Sequence, residues 1–468
     1  MTHERFMPFS DAARQRLADP ALADRLHRAT ILSLTKRDHL AAELPQWEAL
    51  RRRARRIKLH TLTHLDDYVR QFVETARRNG ATVHWGGDAE AARRIVTRIA
   101  RDAGVRRVTK AKTMLGEEID INAALESAGI EPIETDFGEL ICQLAGVAPS
   151  HVTAPIIDWS LEQVAALLEK KGIVHPADRA DHALGRSQSR EAQAAELVAA
   201  ARAALRERFR SADMGVSGAN FAVAESGTLV LVENEANIRL STSLPPIHVA
   251  LVGIDKLIPR LADLGTFLTL LPISATGQRQ SSYVSLIHRP LNRLEIVLVD
   301  NGRLGLLADE EQYDLLSCIR CGACQNACPV YRHVSGGAYG GVYAGPIGAV
   351  LQPHLGGERR YAELPFASSL CGACSDVCPV AIPLHERLLE WRRRLVESGV
   401  RPWSERAAFA AWAWLMGHPR LYRRWRPSPE WIRGLVQEAG PGEAWIRTRD
   451  LPVPADETFA QWWKRTRG

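Results

Sequence analysis

Seven of the eight cysteines fall between Cys318 and Cys378, and their spacing is the most informative chemistry in the chain. Cys318, Cys321, Cys324 and Cys328 form a C-x2-C-x2-C-x3-C run followed by Pro329, the bacterial ferredoxin pattern. The first three thiolates of such a run hold three corners of one cubane, and the fourth serves a neighbouring cluster. A structural zinc site asks for four ligands, usually as two separated pairs, and needs neither the triple spacing nor the Cys-Pro. A second run follows at Cys371, Cys374 and Cys378, again before a proline, Pro379. Aligned on the Cys-Pro, Ser368 stands where its first cysteine is expected. The crossover rule gives a first cluster held by Cys318, Cys321, Cys324 and Cys378. The second, held by Cys328, Cys371 and Cys374, is one thiolate short. It is either a 3Fe-4S cluster or a 4Fe-4S cluster completed by Ser368, water or a partner. Cys142 lies apart, in the apolar stretch FGELICQLAG, and reads as a core thiol, with recruitment to the second cluster as the alternative.

A second group of candidates precedes the cysteines. In GVSGANFAVAESGTLVLVENEANIRLST two strand-like runs meet at a Glu-Ser-Gly turn. Small residues there let backbone amides approach a ligand, and Thr228 adds a hydroxyl. Glu225 has the chemistry of a general base or nucleophile, with a solvated turn carboxylate as the plainer alternative. Asn234, Asn237 and Arg239 add a polar, partly cationic edge. Lys110 and Lys112 follow the run VRRVT, where ligands gather at the carboxyl ends of strands in α/β folds. Against them stands a solvated loop. ATGQRQSSY, from Ala275 to Tyr283, is a further polar loop able to line a pocket. No Walker or GxGxxG signature is present, so neither ATP nor nicotinamide binding has support.

These residues need a scaffold, and the pattern supplies one. Residues 1–65 read as a helical extension, in which RRRARRIK, Arg51 to Lys58, is expected to be a solvated helix face. From 66 to 303 helical stretches alternate with short β-branched runs such as ATVHW, IHVALVG and LEIVLVD, predicting an α/β domain. The 42 residues between Cys328 and Cys371 suit a helical module with the two runs on separate loops, over 304–395. That module ends in a helix burying Leu384, Leu388, Trp391 and Leu395 on one face. The tail, 396–468, is rich in Trp and Arg and is expected to be helical and to pack on the protein or on a partner. The chain carries 60 Lys and Arg against 54 Asp and Glu, and 46% apolar residues, as an ordinary folded protein does. Its basic excess sits in the tail without any nucleic-acid-binding module. The absence of an apolar run of about 18–20 residues and of a signal-peptide core at the N-terminus predicts a cytoplasmic chain.

Taken together, these segments resemble the LutB-like family of lactate-utilisation iron–sulfur proteins over nearly the whole chain. KAKTMLGEEIDIN, ETDFGE, FAVAESGTLVLVENEANIRL, ATGQ and LVDNGR are similar to its LUD domain, and CIRCGACQNACPVYR, YGGVYAGPIGAVLQP and LPFASSLCGACSDVCPVAIPLHE to its dicluster segment. The resemblance implies a LUD domain related to ribose-5-phosphate isomerase and CoA transferases, followed by an all-α dicluster ferredoxin domain and a helical C-terminal extension. It implies a role in oxidising L-lactate to pyruvate beside two other subunits, one a cysteine-rich redox protein and one a LUD protein. Electrons would pass to quinone or another respiratory-chain acceptor, at most peripherally at the inner membrane. Two other readings stay open: a ligand-binding or transferase-like enzyme with structural or sensory clusters, and an electron adaptor for a different 2-hydroxy-acid dehydrogenase.

Overall fold

The computed structural model describes residues 6–174, 189–400, 402–424, 457 and 459–467. The chain divides into two units, Met1–Glu397 and Ser398–Gly468.

The first unit is built on a six-stranded sheet in the order β1-β10-β7-β4-β2-β3. Its strands are β1 (Thr82–Gly86), β2 (Arg107–Lys110), β3 (Glu131–Glu134), β4 (Met214–Gly218), β7 (Ile247–Gly253) and β10 (Arg293–Val299). Every pairing in it is parallel. Parallel sheets need both faces covered, and the strand sequences show it. Val249, Leu251, Val297 and Val299 point into one core, with Val96 and Ile99 of the helix Ala89–Asp102. Their neighbours Ala250, Val252, Ile296 and Leu298 point into the other, with Phe72 and Ala76 of the helix Leu65–Arg78. A smaller sheet, in the order β8-β5-β6-β9, joins β5 (Phe221–Val223), β6 (Thr228–Glu233), β8 (Leu257–Ile258) and β9 (Tyr283–Ile287). The β5–β6 pair, antiparallel, is the hairpin expected around the Glu-Ser-Gly turn.

Between Arg303 and Glu397 the chain forms only helices and loops. The helix Leu384–Glu397 buries Leu384, Leu388, Trp391 and Leu395, and the Trp391 indole donates to the Val350 carbonyl at 3.0 Å. Three helices open the chain, at Phe9–Leu17, Pro20–Ala42 and Trp47–Thr63. The second of them packs against both the helix Leu264–Thr276 of the α/β region and the short helices Ala323–Ala327 and Tyr331–Val334 of the cysteine region. The second unit contains the helices Trp403–Met416, Pro419–Arg424 and Phe459–Arg467. Trp425, Trp431 and Trp445 of the tail lie outside the described residues. Among the described residues no helix is long and apolar enough to cross a membrane.

One position tests the packing of the central strand. A Cβ on Gly215 of β4 would lie 1.7 Å from the Ser241 carbonyl oxygen, a backbone atom that cannot swing away. Gly215→Ala is therefore expected to destabilise the first unit by about 1–3 kcal/mol, read as a lowered midpoint in denaturant unfolding.

Candidate metal centre

The two cysteine runs fold into loops of the same backbone form. In Cys318–Cys324, Arg320 (φ 58°) and Gly322 (φ 77°) are left-handed, and in Ser368–Cys374 it is Leu370 (φ 55°) and Gly372 (φ 84°), at the matching positions. A short helix follows each glycine, Ala323–Ala327 and Ala373–Asp376. Left-handed turns of this kind aim successive N–H groups inward, as a concave anion-binding backbone does. Two such bonds reach sulfur: Arg320 N–H to Cys318 Sγ and Ile382 N–H to Cys378 Sγ, each at 3.4 Å.

The seven thiols fall into two sets. Burial pushes the Cys321 thiol up, and charge on Cys378 and Cys318 adds to it. Cys324 is raised in the same way by burial, then by Cys318 and Cys321. Cys378 is pushed up to about 11, chiefly by burial, with Cys318 contributing. Burial likewise raises Cys328, whose thiol neighbour is Cys371. Cys374, up to about 11 by burial, senses Cys328 and Cys371. Cys318, Cys321, Cys324 and Cys378 thus lie within electrostatic reach of one another, as do Cys328, Cys371 and Cys374. The sets adjoin where Cys324 meets Cys374. Among the described residues no three His, Cys, Asp or Glu side chains converge where a single metal ion would sit. Soft thiol donors, five of the seven buried, and inward N–H groups on two matching loops together fit iron–sulfur clusters, whose ligands bind as thiolates.

Cations surround the first set. Lys58, Lys256 and Arg320 are within electrostatic reach of Cys318, Arg37 of Cys321 and Arg51 of Cys378. Arg332 is the cation within reach of Cys328. Beneath Cys318, Asp255 is held below the usual carboxylate range: burial opposes its charge, but Arg303, at 2.7 Å, with Lys256, Arg320 and Lys58, prevails. Arg303 also grips Glu118 at 2.7 Å.

The basic stretch at Arg51–Lys58 is not the solvated face its composition suggests. Arg51, Arg55 and Lys58 recur at helical spacing and turn inward, while Arg52, Arg53 and Arg56 are exposed. Arg51 Nε donates to the Cys378 carbonyl at 2.9 Å, and its Nη2 to the Ser375 carbonyl at 3.3 Å. Arg55 donates to the Ala381 carbonyl at 2.7 Å and pairs with Asp314 at 3.1 Å. Lys58, fully buried, donates to the Asp255 carbonyl. Helical spacing was visible in the sequence, but the carbonyls that make these positions internal lie 197 to 327 residues away.

At the carboxyl ends of β4 and β7 a cavity of about 250 Å3 opens, and Ile319 and Arg320 of the first cysteine loop form part of its wall. Of the residues singled out in the sequence, Lys112, Asn234 and Asn237 line it, as do Ala275, Thr276 and Ser281 of the polar loop. Lys112 Nζ is buried and finds no hydrogen-bond partner. Asn234 donates to Gln278 at 3.0 Å. Lys110, by contrast, is fully buried away from the cavity and bound to Glu117 and Glu134, the latter at 2.8 Å. Although burial opposes its charge, these carboxylates hold Lys110 protonated. Glu225 is exposed beside Arg260 in a separate surface groove and accepts from Leu261 N–H at 2.9 Å. Thr228 is buried against Ser226 and His288, and Arg239 lies over the Tyr283 ring at 4.7 Å. Lys256, Arg303 and Arg320 also line the cavity, and spacing in the sequence carried no signal for them. Cys142 is buried on the helix Phe137–Ala145, where burial and then Glu139 push its thiol up to about 12.

Arg51→Met removes the charged donor from the Cys378 and Ser375 carbonyls. It is expected to cost about 1.5–3 kcal/mol in thermal unfolding and to speed iron release from the loaded protein. The exposed Arg52→Met is expected to change stability by less than about 0.5 kcal/mol. Equal behaviour of the two variants would refute the assigned role of Arg51.

Three stretches of the chain match known family models. The family model for the LUD domain matches residues 69–303, that for the 4Fe-4S dicluster domain 314–382, and that for the lactate utilisation protein B C-terminal region 392–467. An Escherichia coli K12 protein described as uncharacterized electron transport protein YkgF is 38% identical over 98% of this chain and 96% of its own. Lactate utilization protein B of Bacillus licheniformis is 39% identical, over 92% of this chain and 91% of its own length. A solved DUF162 family protein of Deinococcus radiodurans is 14% identical, with a TM-score of 0.27, and covers 50% of this chain and 98% of that one. With its α/β sheet, its two cysteine loops and this extent of identity, the chain belongs to the lactate utilization protein B family.

Proposed function

We propose that this protein is the iron–sulfur electron-transfer component of a system that oxidises L-lactate to pyruvate. The observation that carries the reading is the pair of cysteine runs, each ending in Cys-Pro, folded into two loops of the same backbone form. On this reading Cys318, Cys321, Cys324 and Cys378 hold one cluster and Cys328, Cys371 and Cys374 the other. When bound, such clusters supply one-electron transfer over a range of potentials set by charge, hydrogen bonds and burial. The chain's own part is to bury most of these thiols, leaving Cys371 exposed, to supply inward N–H groups and to place cations around the first set. The printed names of its relatives, lactate utilization protein B and electron transport protein, support the substrate and the role.

Two further subunits complete the system, a cysteine-rich redox protein that delivers electrons and a second LUD protein. The acceptor is quinone or another respiratory-chain carrier, reached on the cytoplasmic side and peripherally to the inner membrane. Residues 66–303 act as the LUD domain and 304–395 as the dicluster domain, with 1–65 bridging them and 396–468 as a helical extension. The LUD cavity takes a small anion, which the buried and unpartnered Lys112 ammonium favours, because such a group is costly without an acceptor.

Anaerobic purification is expected to yield about seven to eight irons per chain with matching acid-labile sulfide. The clusters should be reduced by L-lactate only when the partner proteins are present. Clusters that stay oxidised in the complete mixture would sink the lactate assignment, and rapid lactate oxidation by the isolated chain would sink the carrier role. Binding of a small carboxylate, followed by calorimetry, is expected to weaken about thirty-fold or more in Lys112→Met, with iron content unchanged. Equal affinity in the two proteins would remove Lys112 from the site.

A further inference from the structure

The second cysteine run lacks a thiol at its first position, yet its loop keeps the conformation that serves a ligand there. Three observations coincide. Ser368 occupies the register position of Cys318 when the runs are aligned on their Cys-Pro pairs. The backbone that follows is left-handed two and four residues later in both loops, at Arg320 and Gly322 and at Leu370 and Gly372. Leucine adopts this conformation reluctantly, so its recurrence points to a loop whose shape is imposed. The turn that closes each loop also repeats: Gln325 N–H to the Gly322 carbonyl at 2.9 Å is matched by Ser375 N–H to the Gly372 carbonyl at 2.8 Å.

The hydrogen bonding of the side chain itself repeats. Arg320 N–H donates to Cys318 Sγ at 3.4 Å, and Leu370 N–H donates to Ser368 Oγ at 3.1 Å. The oxygen therefore stands in the same relation to its loop as the sulfur of a cluster-one ligand does to its own. From the other side, Arg392 Nη2 donates to the Ser368 carbonyl at 2.7 Å and its Nε to the Pro365 carbonyl at 2.8 Å, fixing the loop from outside. Cys142, the remaining thiol of the chain, is buried among Glu139, Asp158 and Lys112, and none of the seven clustered cysteines is among the charges that shift it.

We propose that Ser368 Oγ is the fourth protein ligand of the second cluster, beside Cys328, Cys371 and Cys374. This rests on the two-cluster reading above. In the ligation step the Oγ–H proton passes to solvent, water leaves the fourth iron and an oxygen–iron bond forms, with no change in the electron count. Leu370 N–H, already directed at Oγ, stabilises the resulting alkoxide as it would a thiolate. The second site is then a four-iron site with one hard oxygen donor among soft sulfurs.

The test uses the full-length, anaerobically purified protein, and its readouts are iron content and EPR rather than turnover. The parent is expected to hold four irons at the second site, and pulsed EPR in isotopically labelled water should show no exchangeable oxygen on its reduced cluster. Ser368→Ala should lose one iron per chain to give a three-iron signal, or keep four irons and gain the signature of a bound solvent oxygen. Ser368→Cys should retain four irons and show no solvent oxygen, which separates ligation from mere loop support. Cys142→Ala should leave both signals unchanged. A Ser368→Ala protein whose iron count and spectra match the parent would overturn the proposal, as would a solvent oxygen or a three-iron signal already present in the parent. Absence of both clusters from the parent would instead overturn the underlying two-cluster reading. Retention of the first cluster in every variant reports that the fold is intact.

Discussion

Placing anionic thiolate-ligated iron in a protein interior requires positive charge to be buried with it, and the first unit is arranged around that requirement. Ions removed from water are tolerated only where opposite charge and hydrogen bonds replace the lost solvation. Around the first thiol set the compensation comes from four separate stretches of chain: Arg37 and Arg51 from the opening helices, Lys58 beside them, Lys256 from the turn after β7, and Arg320 from within the loop itself. The carboxylates Asp255 and Glu118 bind Arg303 and so keep the cationic group from repelling itself apart. Around the second set Arg332 lies within electrostatic reach of Cys328, and Cys371 is exposed. The two sites therefore differ in kind as well as in ligand count.

The same network ties the cysteine region to the α/β sheet. Asp255 and Lys256 follow β7 directly, at the carboxyl edge of the sheet where α/β folds bind ligands. Arg320 spans the gap, pairing with Asp255 at 3.6 Å and stacking on Tyr343 at 4.7 Å, while forming part of the cavity wall. A charge that enters or leaves the cavity is thus felt by a residue two positions from Cys318. Tyr331 and His151 add a second seam, through the Ser150 carbonyl at 2.7 Å and Asn326 at 3.1 Å.

How much of this was legible in the sequence depended on whether the signal was local. Cysteine spacing is local, and so are the apolar runs that form β7 and β10 and the stripe Leu384, Leu388, Trp391 and Leu395; each was readable from the sequence, though which strand residues face which core was not. Lys110 and Lys112 show where local reading ends. They stand two residues apart after one strand, yet Lys110 is consumed by Glu117 and Glu134 while Lys112 reaches the cavity. Strand alternation would put both on one side and so does not distinguish them; in the structure β2 ends at Lys110, which carboxylates of other elements bind. Glu225 was singled out by its turn, but the turn faces a different surface. Arg51, Arg55 and Lys58 had helical periodicity, but periodicity names a face without naming what covers it. Arg320 was hidden between two cysteines whose chemistry drew the attention.

The bond from Arg51 to the Cys378 carbonyl spans 327 residues of sequence. At about 5–20 residues per second of synthesis, the helix Trp47–Thr63 leaves the ribosome some tens of seconds before its partner exists. During that interval its inward arginines have no carbonyls to bind, and Cys378, the last thiol of the first set, has not yet been made. Long-range closure of this kind is slow, because loop entropy must be overcome before the contact stabilises anything. The nascent chain is therefore unable to hold its metal while it is being made. Iron delivery becomes a late event in the life of this protein, one that waits for the two ends of the first unit to find each other.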